Sequence, residues 1–300
     1  MSCRGMKCVF TGIAALLCLW LQVPGSSSQY LEQDCGTVSK IAPKIIGGTP
    51  AGLGMHPWMA FLHTSEYFRC SGSLINHWFV LTAAHCFERG VDYYVRLGEY
   101  NRDTDVDSEG ERHMPAFVEY RVDRGFRHIL FQKKDYSHDI GLLKLNKRVE
   151  YLIHIRPICI LDNSNMKWLV EEATSLEAVG WGRTSSDPHS KGSRVLQKKE
   201  LQVRNETFCV REFTRLVKDE QICVGSERGK LCRGDSGGPQ GRAVQIGADD
   251  QFRFVQMGIA SYTEDECRNL SIITNVVSHA EWIKGIVNWY TPTINRKNII

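Results

Sequence analysis

Several things are missing from this 300-residue chain, and each absence removes a class of function. No Cys-x-x-Cys pair occurs, so the spacing that holds structural zinc is absent. The longest uncharged apolar stretch, Cys8 to Val23, falls short of the roughly 20 residues that a bilayer-spanning helix needs. Net charge is only +3 with histidines neutral, which is no electrostatic footprint for nucleic acid. Ahead of Ile45, residues 29–44 hold a single cysteine, Cys35, too few for a cysteine-rich module.

The amino terminus carries Arg4 and Lys7, then the apolar run, then Pro24-Gly25 and three serines. This is the layout of a secretory signal over residues 1–28, with cleavage expected near Ser28; a membrane anchor is the rival that the short run argues against. Removal lowers the formal charge to +1 and takes Cys3, Cys8 and Cys18 with it. What remains is Cys35, Cys70, Cys86, Cys159, Cys209, Cys223, Cys232 and Cys267. An even set in a secreted chain implies disulfides, whose pairing sequence alone leaves open.

From Ile45 onward, short runs rich in β-branched and aromatic residues, such as Trp78-Phe79-Val80-Leu81 and Phe252-Arg253-Phe254-Val255, alternate with Gly, Asn, Asp and Ser clusters. That pattern predicts an all-β fold, barrel or sandwich. Near the end, Ser278 and Glu281 match a helix capping box, and Trp282, Ile283, Ile286, Val287 and Tyr290 follow at helical spacing.

The segment Cys232-Arg233-Gly234-Asp235-Ser236-Gly237-Gly238-Pro239 sets a serine among glycines after an aspartate. Upstream stand Leu81-Thr82-Ala83-Ala84-His85-Cys86 and Asp139-Ile140-Gly141-Leu142-Leu143. A serine hydroxyl is a poor nucleophile near neutral pH. Hydrolysing an amide with it requires an imidazole to take the proton and a carboxylate to hold the imidazole's tautomer. His85, Asp139 and Ser236 are the residue types required. Their order, His then Asp then Ser, argues against an esterase or lipase using the same chemistry.

On these three motifs the chain, from about Cys35 to Tyr290, resembles the chymotrypsin-family (S1) serine endopeptidases, and in particular secreted insect members without a clip domain. The resemblance implies two six-stranded antiparallel β-barrels with a C-terminal helix and the site between them. It implies bridges Cys35–Cys159, Cys70–Cys86, Cys209–Cys223 and Cys232–Cys267. The N–H groups of Gly234 and Ser236 would hold the oxyanion, and Ser261 would support the aspartate. It further implies that Lys44-Ile45-Ile46-Gly47-Gly48 is an activation site, making 29–44 a short propeptide and 45–300 the protease domain. A protease of trypsin-like specificity would cut after Lys44, and the new amino group of Ile45 would pair with Asp235. Protein substrates, an upstream activator and protein inhibitors are the expected partners; no cofactor or metal is expected.

The specificity pocket departs from the family pattern. Where trypsin-like relatives place an aspartate six residues before the nucleophile, this chain has Lys230, followed by Leu231. An ammonium there repels Arg or Lys side chains of a substrate, and Thr263 and Ser271, where open pockets have glycine, make the pocket shallow. Small apolar residues, Asp or Glu, or slow turnover in an obstructed pocket are the outcomes expected. The alternative function is a weakly active or non-catalytic homologue that binds partners in a protease cascade. Two sequons, at Asn205 and Asn269, are candidate glycosylation sites, the second near the pocket. The acidic stretch from Tyr100 to Arg112 reads as a solvated loop, with a calcium loop built on Glu99 as the other reading.

Overall fold

The computed structural model describes residues 29–37, 49–184, 191–226, 231–246, 251–263 and 269–292. The expected signal, Lys44, Ile45, Lys230 and Cys267 lie outside the described residues.

The strands run in chain order β1 (Thr49–Pro50), β2 (Met59–His63), β3 (Phe68–Leu74), β4 (Phe79–Thr82), β5 (Tyr94–Leu97), β6 (Ser108–Glu109), β7 (Arg112–His113), β8 (Val118–Arg127) and β9 (Gly141–Leu145). The second half adds β10 (Ser175–Gly180), β11 (Gln197–Val203), β12 (Gln221–Gly225), β13 (Pro239–Val244), β14 (Arg253–Tyr262) and β15 (Leu270–Asn275). Strands β2-β3-β4-β9-β8-β5 close into the first barrel. Strands β11-β10-β13-β14-β15-β12 form the second, closed by β11–β12 pairing, with the short β1 lying outside against β11. All of these strand pairings are antiparallel. The two barrels of the expected fold are therefore present.

Sequence pattern explains which residues fill each barrel. In β5, Val95 and Leu97 are fully buried while Tyr94 and Arg96 point outward, the period of two of a half-buried strand. The apolar run of β4 is buried along its whole length, so neither face of this strand meets solvent. One apolar cluster gathers Trp58, Phe79, Leu142 and Leu143, and another Leu176, Val224, Met257 and Ile273. Between them the buried Ser73 hydroxyl of β3 donates to Gln256 Oε1 of β14 at 2.6 Å, and Gln256 Nε2 donates to the Gly258 carbonyl at 3.1 Å. A buried polar pair is tolerated here because its groups are matched.

Cys35 is bonded to Cys159, Cys70 to Cys86 and Cys209 to Cys223. Cys232 is also disulfide-bonded. The Cys35 bridge holds residues 29–37 against the second barrel, where Gly36 donates to the Pro157 carbonyl and accepts from Phe254 N–H. Gly36 sits at φ +61°, and a Cβ there would meet the Phe254 carbonyl at 2.6 Å, so only glycine fits.

Helices α1 (Trp168–Glu171), α2 (Glu206–Phe213) and α3 (Ala280–Tyr290) complete the fold. Helix α3 buries Ala280, Ile283 and Val287, but its expected capping box does not form. A 3-10 turn, Val277–His279, precedes the helix and leaves the buried Ser278 hydroxyl without a partner. The cap is Asn275 instead, whose Oδ1 accepts from Val277 N–H at 3.1 Å and Ser278 N–H at 3.3 Å.

Candidate active site

His85 lies in a 3-10 turn immediately after β4, and Asp139 immediately before β9. Because β4 and β9 are paired from Phe79–Lys144 to Thr82–Gly141, those two neighbouring ends converge. The imidazole Nδ1 of His85 donates to Asp139 Oδ2 at 2.7 Å, and the His85 backbone N–H donates to Oδ1 at 2.9 Å. Oδ2 accepts as well from the Ser261 hydroxyl at 2.6 Å. Asp139 is wholly buried, so a carboxylate with three donors is held where water cannot replace them.

Ser236 comes from the second barrel, in the turn that leads into β13. The turn is pinned at both sides: Ser71 N–H donates to the Ser236 carbonyl at 2.8 Å, and Gly237 N–H to the Ala260 carbonyl at 2.8 Å. Gly234 has φ +104° and Gly237 φ +77°; a Cβ on Gly237 would lie 2.1 Å from the Thr82 hydroxyl. The glycines are there because no larger residue lets this turn approach the first barrel. His85, Gly234 and Ser236 line one cleft of about 410 Å³. A larger cavity of about 600 Å³, bounded by Phe87, Arg121 and Asn146 among others, contains none of these residues.

Asp235 points away from the cleft into a nearly closed pocket. Oδ1 accepts from Gly182 N–H and Oδ2 from Cys232 N–H, each at 2.9 Å, while Lys199 Nζ stands 3.5 Å from Oδ2. Gly180 and Gly182 leave room for this carboxylate; a Cβ on Gly182 would meet it at 2.4 Å. Nothing in the spacing of the motifs pointed to Lys199. Its signal is the register of β11, which sets Lys199 opposite Ala178 of the β10 segment leading to Gly180.

The remaining candidates are placed as follows. Thr263 reaches across to the Leu231 carbonyl, 3.3 Å from its hydroxyl, and Ser271 is buried in β15 opposite Val224. Asn205 caps α2, accepting from Thr207 N–H at 3.0 Å while exposed, and Asn269 is exposed just before β15. Sequence reasoning missed Tyr136, whose ring meets His85 edge-on at 5.5 Å, and four arginines lining the cleft: Arg69, Arg102, Arg183 and Arg233.

The stretch from Tyr100 to Arg112 is more than a solvated loop. Asp107 is buried and organises it, its carboxylate accepting from Tyr100 N–H, Asn101 N–H and the Thr104 hydroxyl. The buried Glu99 faces Arg96 at 3.4 Å through Oε2, and its Oε1 has no partner. Asp107 serves backbone amides and the Thr104 hydroxyl, and Glu109 pairs with Arg112, so these two acids are engaged within the protein.

The sequence and the fold find their counterparts in known proteins. The sequence profile described as Trypsin matches residues 45–283. The chain belongs to the trypsin family. Among curated trypsin-family proteins it is 31% identical to "Serine protease grass" of Drosophila melanogaster over 265 residues, covering 83% of this chain and 69% of that protein. It is 31% identical to "Phenoloxidase-activating factor 1" of Holotrichia diomphalia, covering 94% and 83%, and 31% identical to "Spaetzle-processing enzyme" of Drosophila melanogaster, covering 83% and 67%. The solved structure "Crystal structure of drosophila Grass clip serine protease of Toll pathway" superposes with a TM-score of 0.75 at 28% identity, over 85% of this chain and 75% of that one.

Proposed function

We propose that the protein is a secreted serine endopeptidase, made as a zymogen and activated by cleavage after Lys44, with a primary specificity other than Arg or Lys. The observation that carries this reading is the His85–Asp139 pair, held by three donors and opening on the cleft that Ser236 shares. Ser236 attacks the scissile carbonyl, and His85 takes its proton and returns it to the leaving amine. Asp139 holds the ring's tautomer and stabilises the imidazolium that forms. The N–H groups of Gly234 and Ser236 stabilise the developing oxyanion.

Four arginines line the cleft beside His85 and Ser236, which supports a preference against cationic substrate segments around the scissile bond. Relatives are named for processing or activating other proteins, which supports a protein substrate in a cascade of that kind. Among the described residues no helix is long and apolar enough to cross a membrane.

The test is to cut the purified precursor after Lys44 and profile it on peptides varied at the residue before the scissile bond, with a serine-directed phosphonate as a parallel probe. Cleavage after small or acidic residues supports the proposal. Neither cleavage nor labelling would leave a binding role on a protease scaffold.

A further inference from the structure

Three histidines that the triad does not use meet behind it. His128 follows β8, His138 directly precedes Asp139, and His279 ends the 3-10 turn before α3. One ligating atom from each lies within 4.8 Å of the others. A second grouping, Cys70, His85 and Cys86, offers no thiolate, because its cysteines are bonded to each other.

We propose that His128, His138 and His279 form a binding site for a divalent metal of the zinc class, placed one residue from the catalytic carboxylate.

The hydrogen bonds orient the donors. The Asn275 carbonyl can only accept, so His279 Nδ1, 2.7 Å away, carries the proton and leaves Nε2 as a bare lone pair. That Nε2 faces His138 Nδ1 at 3.1 Å. Two nitrogens on one tetrahedral zinc stand about 3.3 Å apart, so this pair is already spaced as ligands. Metal would replace the proton between them. His138 would then carry its proton on Nε2, where Glu220 Oε1 stands 3.9 Å away as the outer carboxylate that ligating imidazoles usually have. His128 supplies the third corner; its ring is partly buried, stacked on His138 with centroids 4.7 Å apart, and makes a long 3.3 Å contact with Leu130 N–H, so it must rotate out of that stack to ligate. Imidazole ligands suit zinc, copper or nickel rather than calcium or magnesium.

A rate effect follows from position, and it rests on the peptidase reading, whereas binding does not. His138 sits at φ +49°, a left-handed conformation that L residues rarely adopt, and is tied through its carbonyl to Ile140 N–H. A dication ligated there opposes the imidazolium that His85 becomes in the transition state, lowering kcat more than it changes KM.

The chelator-treated, activated protein is titrated with zinc chloride, and separately with calcium chloride, by calorimetry and by competition with a fluorescent zinc chelator. One equivalent of zinc at micromolar affinity is expected, no calcium binding, and a loss of about tenfold or more in zinc affinity in His128→Asn. His279→Gln, checked for folding by its melting curve, is expected to match. Absence of saturable zinc binding, or binding unchanged in both variants, overturns the site. Zinc binding without a fall in kcat overturns the rate effect alone, and an inactive protein that still binds one zinc counts against the peptidase reading and not against the site.

Discussion

At the scale of single residues, the site depends on how many donors each carboxylate has. Asp139 has a donor in Ser261 that plays no part in proton transfer. A hydrogen bond to a charged group contributes about 1.5–3 kcal/mol, so Ser261→Ala is expected to lower kcat on the activated protein by about tenfold or more with KM nearly constant. An equal loss in KM would mean that Ser261 acts on substrate instead. Glu99 shows the opposite condition, a carboxylate with one oxygen unmatched. Burial, then the nearby Asp107 charge, push it from the usual 4.5 up to about 7. Below pH 4.5 it is neutral in folded and unfolded chain alike and costs nothing. As pH rises to 7 the unfolded chain ionises first, so stability falls, and the full penalty is present above 7. Glu99→Gln is expected to match the parent below pH 4.5 and to gain up to about 3 kcal/mol above pH 7, read from denaturation midpoints across that range.

At the scale of elements, two pieces of the fold departed from the sequence pattern: a helix cap shifted three residues upstream by an intervening 3-10 turn, and a cation brought to Asp235 from another strand. Ser278 and Glu281 have the spacing of a capping box, yet the 3-10 turn hands the capping role to Asn275 at the end of β15. Asn275→Ala is expected to cost about 1 kcal/mol, while Ser278→Ala is close to neutral, both by urea denaturation; the reverse ranking would restore the box. Lys199 on β11 supplies a cation to Asp235 in the uncut chain. If the Ile45 amine takes over after cleavage, Lys199→Gln should depress the residual rate of the precursor severalfold while leaving the cut enzyme within about twofold. Equal effects on both forms would make Lys199 a packing residue.

At the scale of the whole molecule, the barrels were legible because alternation and apolar runs such as those of β4 and β5 encode strands directly. The His85, Asp139 and Ser236 motifs could be picked out as candidates because each is local: a few adjacent residues state both a candidate reacting group and the turn that presents it. The three-histidine group was not, since His128, His138 and His279 share no spacing and are assembled only when β8, the loop before β9 and the turn before α3 close on one another. The buried Asp107 escaped notice because a run of acidic residues looks solvated until the backbone amides that it serves are in place.

The bridge between Cys35 and Cys159 spans 124 residues of sequence and joins the two sides of the expected cut. Hydrolysis after Lys44 would then add one water and release nothing. Sedimentation, size and diffusion would all be blind to the event. The covalent record that a given molecule had been switched on would be a second pair of chain ends.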